Sequence, residues 1–249
     1  LGYSIMRMAI ATIGLNLIAS IVQAYFCFKK IPQLRVNLKL YDWSLMKDVM
    51  SFSFFAYIII FTNMIIFRTD QITISIFGSV SLVAIYQIAS KLAENFKKFT
   101  TQFLDNLRPV AATLFESKQD KKLAKILIES NRLQGFIATM IIIPLLIYIE
   151  PLLEIWLELS NPAGIASALI LLFSMYIYVF FRSSSVYVLL MGDRHRKLAK
   201  VALFECTANL VISIILIHYI GIVGVAIGTI VPNVLMAIFF NIQIGRAHV

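Results

Sequence analysis

RHRKLAKVALFECTANLVISIILIHYIGIVGVAIGTIVPNVLMAIFFNIQ, residues 194–243, is the stretch whose reading decides the fold. It opens on Arg194, Arg196, Lys197 and Lys200, runs apolar from 198 to 218, breaks at Gly221 and runs apolar again from 222 to 243. Each run reaches the roughly 20 residues that a helix needs to cross about 30 Å of hydrocarbon. The break between them is short enough only for a tight turn. Basic residues gather at the leading end and are missing from the glycine turn, so the leading end reads as cytoplasmic and the turn as external.

Working outward, the pattern recurs along the chain. Further apolar runs span 5–28, 46–77, 82–107, 126–149 and 164–190, and basic residues fill every second gap. One gap holds Lys29, Lys30, Arg35, Lys39 and Lys47; the next of its kind holds Arg108, Lys118, Lys121, Lys122, Lys125 and Arg132. The opposite gaps carry only Arg7 and Arg68, while Glu150, Glu154 and Glu158 lie in the longest of them, whose expected breakers are Pro151 and Pro162. This alternation predicts an all-α polytopic transmembrane bundle of seven membrane helices, entering from outside and ending inside.

Composition agrees with that class. The 249 residues are 60% hydrophobic and 14% charged, more apolar surface than one soluble core of this size can hide. The net charge of +9 sits in short membrane-flanking loops with no aromatic-basic module, so topology and anionic membrane lipids account for it, and no nucleic acid partner is expected. Cys27 and Cys206 fall inside predicted helices, far from each other and from any metal-ligand spacing. No metal and no cofactor is expected.

Four segments follow. Residues 1–28 form a membrane helix read as the last of a truncated amino-terminal lobe, because the chain enters it at once from Leu1; 29–43 form a cytoplasmic inter-lobe linker; 44–243 form a six-helix lobe. Residues 244–249, IGRAHV, match the translation of a sequencing adapter and are read as a non-native tail. No loop is long enough for a nucleotide-binding or glycosyltransferase domain, and no phosphate-binding glycine loop occurs. No catalytic residue is expected: Ser183, Ser184 and Ser185 lack a usable histidine and acid.

Several apolar helices carry polar stripes. Gln87, Lys91, Glu94, Lys98, Gln102 and Asp105 fall at spacings of three and four, within one narrow sector of a helix. Lys91 lies about 14 Å along the helix from Leu82, near the bilayer midplane, where a charge needs a partner or water. Ser174, Tyr178, Arg182 and Ser185 form a second stripe; Glu205, Asn209 and Ser213 a third; Thr12, Asn16, Ser20 and Gln23 a fourth. The expectation is that several stripes share one water-accessible cavity, since burying each alone demands a dedicated partner every time. Two alternatives stay open: Lys91 with Glu94, and Arg182 with Glu205, as self-neutralising pairs. For Arg68 and Asp70, a rim salt bridge or headgroup contact stands beside substrate contact. Lys98, Gln102 and Asp105 are explained by snorkelling to the interface.

The run from Asp70 to Lys91, DQITISIFGSVSLVAIYQIASK, resembles the seventh and eighth helices of Wzx-type polysaccharide flippases in the multidrug/oligosaccharidyl-lipid/polysaccharide exporter superfamily, with Asp70, Gly78, Tyr86, Ala89 and Lys91 as the matching residues. Pro151–Leu157, PLLEIWL, resembles the loop before the family's tenth helix, although Glu158 stands where the family has glycine; Asn209 and IGIVGVAIGT from Ile220 resemble its last two helices. The resemblance implies a twelve-helix transporter, here its sixth helix and complete carboxyl-terminal lobe, moving a lipid-linked oligosaccharide across the bacterial inner membrane. Arg68, Gln87, Lys91, Tyr178, Arg182 and Asn209 are then candidates for cargo contact, and Asp70, Glu94 and Glu205 for coupling to H+ or Na+. A cation-coupled drug exporter shares the architecture but predicts acids and aromatics rather than Lys91 and Arg182. A membrane-embedded polymerase or ligase would need a large external loop.

Overall fold

The computed structural model describes residues 2–32, 42–157, 161–183 and 195–247. Among these residues there is no strand. The inter-lobe linker over 33–41, Glu158, Ser184, Ser185 and Arg194 lie outside the described residues, as do the last two residues of the predicted tail.

Among the described residues, seven α-helices stand where the apolar runs are: α1 (Gly2–Lys30), α2 (Trp43–Phe77), α3 (Val80–Glu116), α4 (Asp120–Leu157), α5 (Pro162–Ile177), α6 (His195–Ile220) and α7 (Ile222–Ala247), with a π-helical turn, Tyr178–Arg182, continuing α5. Six of them are long and apolar enough to cross a membrane. The exception is α3, which has the length but carries Lys91, Glu94, Lys97 and Lys98 in its centre. The chain divides into two compact units, 1–49 and 50–249.

In the first unit, α1 satisfies its own hydroxyls. Thr12 Oγ1 donates to the Met8 carbonyl at 2.8 Å and Ser20 Oγ to the Asn16 carbonyl at 2.8 Å. Such back-bonding lets these two hydroxyls sit in an apolar helix without another element. Asp42 caps the start of α2 by accepting from the backbone amides of Ser44 and Leu45.

In the second unit, α5 is the central helix, packed on α3, α4 and α7. Its sequence explains the position: Gly164, Ser167 and Ala168 bury one face, and small residues let backbones approach where lipid supplies no hydrophobic drive. Asn161 caps α5 through the Gly164 amide at 2.9 Å, with Pro162 at the first helical position. Helices α6 and α7 form the expected hairpin. Gly221 turns the chain with φ +59°, and a side chain on Gly228 would collide with Ser213 Oγ.

Three expectations are corrected. The connection over 108–125 is largely helical: α3 continues through Pro109 to Glu116 and α4 begins at Asp120, because Ala111 packs against Leu123 and Leu127 and gives the extension its own small core. Pro151 does not break the external loop; α4 carries it and ends at Leu157. The α3 stripe does not join the stripes of α5 and α6 in one cavity. On α3, Gln87, Lys91, Lys98 and Gln102 are exposed, while Tyr86, Ala89, Ala93, Phe96 and Leu104 bury the opposite face. The inward stripes of α5 and α6 have dedicated partners, described next.

Candidate functional site

Two layers of polar side chains cross the interior of the second unit. The first centres on Asp70, 2% exposed, about 10 Å along α2 from its end at Phe77. Tyr86 donates its hydroxyl to Asp70 Oδ2 at 2.8 Å, and Thr229 donates to the same oxygen at 3.0 Å. Asn209 Nδ2 donates to Thr229 Oγ1 at 3.0 Å, and Ser213 faces the same carboxyl group. Helices α2, α3, α6 and α7 each contribute a member, so one carboxyl group ties four elements together. Among the described residues, Asp70 makes no ion pair, and two deeply buried acceptors, Asp70 Oδ1 and Asn209 Oδ1, have no hydrogen-bond partner. Acceptor oxygens desolvated without a donor are costly, and a cation or proton offsets that cost.

The second layer centres on Arg182. Its Nη1 and Nη2 meet Glu205 Oε1 and Oε2 at 2.7 and 2.8 Å, a two-pronged pair that matches the planar fork of the guanidinium. Nη1 also donates to Asn233 Oδ1 at 2.6 Å, and Asn233 Nδ2 donates to the Ser174 carbonyl at 2.6 Å and to Ser174 Oγ at 3.0 Å. Asn233 therefore satisfies Arg182 on one side and α5 on the other.

Arg182 is delivered by the π turn. The Ser183 amide bonds to the Tyr178 carbonyl five residues back, and the wider turn re-aims the side chains that follow. Polar groups of α4 support it: Asn131 donates to the Phe180 carbonyl, and Ser183 Oγ donates to Gln134 Oε1 at 2.9 Å. Gly135 leaves room for the Phe180 ring, which a side chain there would meet at 3.0 Å.

Between the layers lies a cleft of about 40 Å³, lined by Asn63, Lys97, Tyr178, Arg182, Asn209 and Thr229 among others. At about 10–15 Å³ for each water, it has room for a few waters and not for a sugar. Lys97 Nζ stands 3.8 Å from the centroid of the Tyr178 ring, and Arg182 Cζ stands 5.1 Å from it. Cation–ring contacts of this kind contribute about 0.5–2 kcal/mol.

The structure thus brings together five residues singled out from sequence, Asp70, Tyr178, Arg182, Glu205 and Asn209. It leaves four outside. Arg68 and Gln87 are exposed and make no polar contact among the described residues, so Arg68 and Asp70, two positions apart on one helix, point to different surroundings. Lys91 Nζ meets Glu94 Oε2 at 2.6 Å, with side chains 61% and 30% exposed. Sequence reasoning missed Lys97, Thr229 and Asn233. The latter two are four apart in an apolar run and so share a helix face, a signal of the kind that exposed the other stripes. No family model, no curated protein and no solved structure matches the chain.

Proposed function

We propose that the chain forms one lobe of a polytopic transporter, and that the polar face of α3 lines the passage for a polar cargo. One observation carries this reading: Gln87, Lys91, Lys98 and Gln102 lie on the outside of the packed bundle, along a helix whose other face is buried among membrane-spanning neighbours. Hydrocarbon does not accept such a face, since each charge at depth costs at least about 2.5–3.5 kcal/mol. Water in a passage, or a second lobe enclosing one, does. In this reading α3 is a seventh crossing, α1 is the last helix of a preceding lobe, and the whole resides in a bacterial inner membrane.

The cargo class follows from the resemblance to Wzx-type flippases, a polyprenyl-pyrophosphate-linked oligosaccharide. Asp70 is the coupling group, because its cluster combines a buried carboxyl, two unsatisfied oxygens and no cationic partner among the described residues. Arg182 and Glu205 neutralise each other and act as a structural clasp between α5 and α6. Movement is alternating access, with no covalent step.

The test is reconstitution of the protein in vesicles carrying a fluorescent polyprenyl-pyrophosphate oligosaccharide, with an impermeant quencher reporting its leaflet. Transfer that Asp70→Asn abolishes supports the reading, and a Na+ or pH gradient identifies the coupling ion. Absence of transfer together with efflux of cationic dyes would instead favour a drug exporter.

A further inference from the structure

We infer that Lys97 is the built-in counter-cation of Asp70, and that it sets how tightly the coupling ion binds there by competing with that ion for the carboxylate's negative charge. The inference rests on the reading of Asp70 as the coupling group and names a residue that sequence analysis passed over.

The charges that border the cleft carry it. Among the described residues, Lys97, Arg182 and Glu205 line the cleft, and Asp70 stands one side chain behind its wall, bonded at 3.0 Å to Thr229, which also lines it. Arg182 and Glu205 neutralise each other through two hydrogen bonds. That leaves Asp70, which makes no ion pair, and Lys97, which meets no carboxylate among the described residues. With Asp70 ionised and empty, the four charges sum to zero. A cation added at Asp70 leaves one positive charge in excess within the membrane, where unbalanced charge is costly. Lys97 therefore favours the empty carboxylate over the loaded one.

Geometry keeps the two charges apart yet within each other's field. Tyr86, the donor to Asp70, and Lys97 both lie on α3, separated by about 16 Å along its axis and close to one face, since three turns of a helix nearly divide the interval between them. Long helical side chains lean toward the helix start, which for Lys97 is the end where Asp70 lies, so the ammonium and the carboxyl group stand on the order of 10 Å apart. At that distance and an effective dielectric constant of about 20, two unit charges shift an ion's affinity by about tenfold. The Tyr178 ring, 3.8 Å from Lys97 Nζ, seats the ammonium there. A lysine bonded to Asp70 would block the ion; one held on a ring weakens its binding and leaves the unpartnered Asp70 Oδ1 open to it. The consequence is release: the ion can leave a buried carboxylate because a second cation already balances the charge it abandons.

The experiment follows thermal unfolding of the full chain in phosphatidylcholine nanodiscs while Na+ replaces N-methylglucamine at constant chloride, and separately while pH is varied without Na+. The account predicts a saturable stabilisation by one of these two cations that Asp70→Asn removes. Lys97→Met is expected to lower the half-saturating concentration of that cation by about threefold to tenfold, and Lys97→Arg to leave it within about twofold. Lys97→Met should also be less stable than the unaltered chain without the cation, and the gap should narrow at saturation. A shift below about twofold in Lys97→Met overturns the inference, as does an equal shift in Lys97→Arg, which would assign the effect to packing. Should Lys97→Met fail to fold, Lys97→Gln replaces it under the same criteria. An Asp70-dependent cation effect indifferent to Lys97 would sink this inference alone. A cation effect that follows Lys97 without any transport of the labelled oligosaccharide would sink the transporter reading alone, and absence of any Asp70-dependent cation effect would remove both the coupling role and this inference.

Discussion

Arg182 and Glu205, on α5's π extension and on α6, meet through two parallel hydrogen bonds of 2.7 and 2.8 Å, and Asn233 of α7 accepts a third from the guanidinium at 2.6 Å. The pair clasps three helices and is largely buried, with side chains 6% and 16% exposed. Its net contribution to stability is smaller than the damage done by breaking it, because desolvation of both charges opposes their attraction.

Glu205→Ala is therefore expected to lower stability by about 3–5 kcal/mol, by leaving a guanidinium buried without its anion. The double substitution Arg182→Met with Glu205→Met should recover most of that loss. Thermal unfolding in detergent with a helicity readout checks both, and a double variant no better than Glu205→Ala would contradict the clasp.

Tyr86→Phe removes the 2.8 Å donor to Asp70 and leaves a buried carboxyl short of one bond. The expected cost is about 1–3 kcal/mol. Asp70→Asn retains an acceptor for Tyr86 and Thr229, so it should fold with a cost of about 1 kcal/mol or less while losing ion-dependent transport. A transport-competent Asp70→Asn protein would remove Asp70 from the coupling step.

Gly228→Ala tests the α6–α7 hairpin. The added Cβ collides with Ser213 Oγ, but also meets its backbone nitrogen at 2.9 Å and Cα at 3.0 Å. Deleting the hydroxyl with Ser213→Ala should therefore not rescue the variant, whose loss is expected at about 1–3 kcal/mol. Full rescue would mean that the backbones are farther apart than described.

Length and punctuation carried the helices. Membrane-length apolar runs, the Gly221 break and the basic clusters are one-dimensional signals, and each run holds an α-helix among the described residues. Helix ends were less visible, because Pro109 and Pro151 look like breakers until tertiary contacts, such as Ala111 against Leu123, hold the chain helical around them. The direction of the stripes was least visible. Spacing places Lys91 and Glu94 on one face of α3 and Arg182 with Tyr178 on one face of α5, but says nothing of which face turns inward. For α5 the π turn adds a further rotation that a 3.6-residue period omits. Lys97 was overlooked for the same reason: it sits beside the stripe, and only the position of Tyr178 shows what it meets.

The central claim is that α3 turns its polar face to water inside the membrane, and cysteine accessibility measures it directly. In a background with Cys27→Ser and Cys206→Ser, single cysteines at Gln87, Lys98 and Gln102 would be challenged in sealed vesicles with a membrane-impermeant thiol reagent, beside cysteines at Ala89 and Ala93 on the buried face. The account predicts reaction at the first three positions and protection at the last two. Protection at all five would place the stripe in lipid or in a dry interface, and would contradict it.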